Sequence, residues 1–261
     1  MKPLLICTLL LGFAIEAAAG GASPWEGTWK IDPARSHLTG DTFTYSKGPG
    51  DLLHYADGSS ANFDFGLDGK EYMAWPNHTV SWTAAGENAW DSVYKVDGKI
   101  TTTSHRVLAA DGKTLTVTIS GKRPDGSDLH DEAVYTRVSG SSGLLGTWRT
   151  VKNSGAGVPQ QYVISVPQPG LLRYELPDMK ASAEGRADGS DHAISSPTMP
   201  PDSSIGFKAI GAKKMRYVIK VGGKPDSYGI QTIAKDGRSF TDVSWNPGKE
   251  SEKLTSVYVR Q

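Results

Sequence analysis

The segment "AWDSVYKV" at Ala89–Val96 alternates by twos: Trp90, Tyr94 and Val96 fall on one face, Asp91 and Lys95 on the other. That period marks a β-strand with one face turned toward a core. Met215, Tyr217, Ile219 and Val221 set against Lys214, Arg216 and Lys220 repeat the pattern. Asp-Gly pairs beginning at Asp57, Asp68, Asp97, Asp111, Asp125, Asp188 and Asp236 punctuate the chain. They supply the positive φ of tight turns, and most separate runs of Val, Ile, Thr and Tyr. "AWDSVYKVDGKITTTSHRVLAADGKTLTVTISG" thus reads as three strands joined by two tight turns. No window holds a helical period for longer than two turns, so the chain is expected to be all-β.

The pattern occurs twice. "KVDGK" at Lys95–Lys99 matches "KVGGK" at Lys220–Lys224, and "LAADGKTLT" at Leu108–Thr116 matches "IAKDGRSFT" at Ile233–Thr241. "GTW" occurs at Gly27–Trp29 and Gly146–Trp148, and "AVYTRV" at Ala133–Val138 corresponds to "SVYVRQ" at Ser256–Gln261. Four landmarks in the same order indicate an internal duplication. The expected division is a first barrel over 25–138, a polar linker "SGSSG" at 139–143 and a second barrel over 144–261. One larger barrel built from both halves is the alternative. Each half has room for about eight short strands with local connections, as in an up-and-down antiparallel barrel.

Gly-x-Trp on a first strand with Arg on the last resembles the lipocalin and fatty-acid-binding superfamily, the calycins. The resemblance implies two tandem lipocalin-like barrels, each plugged by a Trp with an Arg across its ring. Within each half the pairs would be Trp29 with Arg137 and Trp148 with Arg260. Gly before Trp allows close backbone approach, and a guanidinium over an indole contributes about 0.5–2 kcal/mol. The halves lack a lipocalin disulfide and flanking helix, and no helical pair lies between Trp29 and Leu52 to form a fatty-acid-binding lid. "GTWKIDPARS" with "DGKTLTVT" also resembles exported bacterial lipocalin-like proteins. That likeness bears on location and fold and brings no activity with it.

Composition changes this picture at the N-terminus. Lys2, the apolar run Leu4–Ile15 and the small residues Ala17–Gly21 form the three parts of a secretory signal, expected over residues 1–20. The protein is therefore expected to be exported, to a periplasmic or extracellular destination. The single cysteine, Cys7, lies inside that run, so the mature chain holds no disulfide. No later run is long enough to span a bilayer as a helix. Twenty-eight basic residues balance 28 acidic ones, without the basic footprint of a nucleic-acid binder.

Candidate chemistry concentrates in the first half, which holds five of six histidines and five of seven tryptophans. Trp82, Trp90 and Tyr94 are expected to line a pocket for a small, largely apolar molecule, or else to fill a core. His105 is open in a specific way. A two-residue loop at Asp97-Gly98 makes it the partner of Trp90 and points it inward. A three-residue loop slips the register, and Arg106 faces inward instead. An inward His105 would offer a polar contact, or a general base if the protein is a pocket hydrolase or isomerase. A third reading is a structural envelope module with both interiors filled. No His-x-His or His-Glu-x-x-His pattern occurs, so neither metal nor cofactor is expected. The acidic group in "SDLHDEA" at Ser127–Ala133 reads as a solvated turn and strand start.

Overall fold

A computed structural model describes residues 23–155 and 157–261; the expected signal segment lies outside the described residues. The described chain is all-β, with two short 3-10 turns at Pro33–Arg35 and Pro177–Met179. No helix among the described residues is long and apolar enough to cross a membrane.

The first strand, β1, is Gly27–Ile31. Then come β2 (Thr42–Lys47), β3 (Leu53–Ala56), β4 (Asn62–Phe65), β5 (Asp68–Trp75) and β6 (His78–Gly86). The sheet continues with β7 (Ala89–Val96), β8 (Lys99–Leu108), β9 (Thr114–Lys122), β10 (Asp128–Arg137) and β11 (Gly146–Lys152). The later strands are β12 (Gln161–Gln168), β13 (Leu171–Leu176), β14 (Ala181–Arg186), β15 (Asp188–Ser195) and β16 (Ser203–Gly211). The chain ends with β17 (Lys214–Val221), β18 (Lys224–Ile233), β19 (Ser239–Trp245) and β20 (Leu254–Arg260). They form two antiparallel ten-stranded barrels, two strands more in each than the sequence suggests.

The barrels do not coincide with the two halves. β2 through β11 make one rolled sheet, hydrogen-bonded throughout except between β4 and β5, whereas β1 joins β12 through β20 in a closed barrel. β1 lies between β12 and β20, and β11 lies between β10 and β2. The two copies have exchanged their first strands. The first barrel is therefore a contiguous body inserted between the first and second strands of the second barrel. The segment that crosses from β1 to β2 runs alongside β11, where Gly40 N donates to Thr150 O and Thr150 N to Asp41 O, both at 2.9 Å.

This corrects the expected pairing of plugs. Arg260 lies over Trp29, at 4.0 Å, and Arg137 over Trp148, at 4.2 Å, each pair assembled from different halves. Both indoles are fully buried, and each N–H donates to a carbonyl four residues upstream, Trp25 or Leu144. Arg137 donates to the carbonyls of Gly112, Leu145 and Gly143, and Arg260 to those of Gly237, Glu26 and Pro24. The glycine before each Trp is needed for close approach. A Cβ on Gly27 would meet the Arg260 guanidinium at 2.7 Å, and one on Gly146 would meet Ser139 O at 2.0 Å.

"SGSSG" is likewise not an inter-barrel linker but the turn between β10 and β11, pinned by a bridge from Ser142 to Leu145. A reversal that short lays β11 antiparallel against β10, which gives the first barrel its closing neighbour. β1 is left to the equivalent edge of β20. The strands are alike enough that each barrel keeps the same plug.

Candidate functional site

The first barrel encloses a cavity of about 430 Å³. Eight of its 23 lining residues are aromatic, among them Tyr45 and Tyr55 from β2 and β3, Trp82 and Tyr94 from β6 and β7, and Tyr135 from β10. Positions on all ten strands of this barrel converge here because each strand alternates, so one face supplies the lining. Phe65 and Trp82 pack at 4.5 Å, and Tyr45 meets both rings edge-on.

Arg106 enters this aromatic wall. Its guanidinium carbon lies 4.0 Å from the Trp82 ring centroid, and Nη1 donates to Ser92 Oγ at 2.9 Å. Ser92 faces Ser104 across the strand pair, with hydroxyls 3.3 Å apart. Burial pushes the Tyr45 phenol above its ordinary pKa, against the opposing charge and hydrogen bond of Arg106. Tyr55 and Tyr135 are raised by burial in the same way, with Arg106 again opposing.

The turn at Asp97-Gly98 is the two-residue type, with φ of 49° and 72°. The one-residue slip nevertheless occurs, and its source is a bulge in β8. Lys95 pairs with Ile100 but Tyr94 with Thr102, so Thr101 is the extra residue and donates to Tyr94 O at 3.3 Å. Trp90 thereby pairs with Arg106, and every later side chain of β8 reverses its face. On β9, Gly121 makes room: a Cβ there would meet Thr101 O at 2.1 Å.

The sequence-expected site residues part company accordingly. Trp82 and Tyr94 line the cavity, whereas Trp90 is buried in the barrel core and is not part of the lining. His105 faces outward, its Nδ1 2.6 Å from Asp91 Oδ1, with both side chains about half exposed. No histidine is among the cavity residues. His78 is buried instead between the carbonyls of Pro76, at 2.9 Å, and Thr198, at 3.2 Å. No cluster among the described residues could hold a metal ion. In the acidic stretch, Asp128 pairs with Lys122 at 2.6 Å and Glu132 with Lys152 at 2.7 Å, all well exposed.

The second barrel fills the corresponding space. Positions 125 residues apart share register, so Ser92, Ser104, Arg106 and Val117 correspond to Tyr217, Gly229, Gln231 and Asp242. The Tyr217 ring lies over Gly229, where a Cβ would sit 2.1 Å from it. Its hydroxyl donates to Asp242 Oδ1 at 3.0 Å; Gln231 Nε2 donates to Oδ2 at 3.1 Å, and Tyr174 to Gln231 Oε1 at 3.2 Å. Burial raises the Asp242 pKa to about 6, against the lowering effect of those donors. What remains is a smaller, largely apolar cavity of about 180 Å³ beside this network.

No protein-family model matches the chain, and no curated protein matches it. The fold and the site geometry are thus the ground for a functional reading.

Proposed function

We propose that this is an exported, lipocalin-like tandem barrel whose first barrel binds a small, largely apolar molecule carrying an anionic group. One observation carries the reading: Arg106 lines an aromatic cavity, and no carboxylate forms an ion pair with it among the described residues. A guanidinium is a charged group with five donors, of which the Ser92 hydroxyl takes one and the Tyr45 hydroxyl another. Withdrawing such a charge from water is costly unless an anion is supplied. A ligand carboxylate or other acidic group would meet that need, while its apolar body rests on Tyr45, Trp82 and Tyr94.

Native mass spectrometry of protein recovered from its host tests this. The expected result is an adduct on the wild type that is lost from Arg106→Gln, while the fold is kept. Bare protein mass at full occupancy would overturn the reading. Recovery of the mature chain outside the cytoplasm, beginning near residue 21, is expected for the exported form.

A further inference from the structure

The polar lining of the first cavity is not confined to Arg106. Asp41, Asp57, Asn153 and Asn246 also line it. Asn246 belongs to the second barrel, in the loop that follows β19, and it is tied to the first barrel by donation to Asp57 O at 3.1 Å. The same loop holds Glu252, which accepts from Thr42 N at 2.9 Å, and Lys249, which donates to Thr42 O. Ser60 N donates to Asp226 of the second barrel at 2.7 Å. The second barrel therefore covers one end of the first barrel's cavity and contributes a side chain to it.

Asp41 lies at this covered end, on a crossing segment between the barrels. Its Oδ1 is buried without a hydrogen-bond partner among the described residues, an acceptor lacking a donor. Burial raises its pKa, as does neighbouring Glu252, while Thr150 and Lys249 act the other way. Tyr135 lies within electrostatic reach of both Asp41 and Arg106, so opposite charges flank one aromatic wall.

We propose that the ligand is bipolar: its anionic end meets Arg106, and its far end presents an amine or hydroxyl donor to Asp41 in a collar completed by Asn246. This rests on the reading of the first barrel as an acid-binding cavity. It adds a requirement that an apolar acid alone does not satisfy, and it gives the second barrel a share in specificity.

Isothermal titration with 2-naphthoate, 6-hydroxy-2-naphthoate and 6-amino-2-naphthoate separates the two claims. The full chain is expected to bind the hydroxy or amino acid at least tenfold more tightly than 2-naphthoate. Asp41→Asn is expected to shrink that advantage to twofold or less. Asn246→Ala should reduce it in the same direction, and serves alone should Asp41→Asn fail to fold. Equal binding of all three by the wild type overturns the second pole and leaves the acid-binding cavity standing. Binding of none overturns both.

Discussion

The two barrels share strand number, register and plug, yet one encloses a large cavity and the other is mostly filled. The difference comes down to a few inward positions on three neighbouring strands. Where the first barrel has Ser92 and Ser104, the second has Tyr217 lying over Gly229. Where the first has a cation against an aromatic wall, the second has Gln231 and Asp242 closed into their own network. Duplication supplied two equal frames. Substitution at facing positions then set whether the polar groups answer one another or, in the proposed reading, are left for a ligand.

The sharpest way to break the comparison is through the exchanged strands. Trp29→Ala removes a fully buried ring from the second barrel although it lies in the first half of the sequence. It should cost about 3–5 kcal/mol, with hydrogen-exchange protection lost from β12–β20 and kept in β2–β11. Trp148→Ala should do the opposite. Loss of protection in the same half as each substitution would refute the exchange.

Converting one interior into the other comes next. Ser92→Tyr with Ser104→Gly should seat a phenol in the first cavity as Tyr217 is seated in the second. Binding of 2-naphthoate should fall at least tenfold, measured by titration, while circular dichroism stays that of a folded β protein.

The buried acid gives the third contrast. Because the Asp242 pKa is raised to about 6 from 3.8, the folded state binds the proton more tightly than the unfolded state. Its contribution is fullest below the unfolded pKa and is lost as pH rises from about 4 through 6. Denaturant titrations at pH 4 and 7 should differ by roughly 2–3 kcal/mol more in wild type than in Asp242→Asn. Val117 occupies the matching place in the first barrel, so nothing there supplies the same term.

The smallest effect belongs to His105. Exposed and paired only with Asp91, it should change stability by less than about 0.5 kcal/mol on conversion to Ala. Naphthoate binding should be unaffected. A tenfold loss of binding would place it back at the site.

Part of the site was legible earlier than the structure. The 125-residue offset aligns Ser92 with Tyr217 and Ser104 with Gly229, and small against large at facing positions is a signal of open against filled. Gly121, interrupting the apolar alternation of β9, was a further cue to the bulge that turns Arg106 inward. Neither cue decides the matter alone, because a bulge and a three-residue loop produce the same slip.

By itself the sequence determined the class, the duplication, most of the turn positions and the chemistry of the plugs, although Asp68-Gly69 and Asp188-Gly189 begin strands β5 and β15 instead. Those follow from local periodicity, from glycine and from repeated spacing, all of which survive in a linear text. Which GTW strand closes which barrel was decided only in three dimensions. The two strands present nearly the same side chains to nearly the same edges, so their local preferences are equal. The short turn after Arg137 breaks that tie by holding β11 against β10.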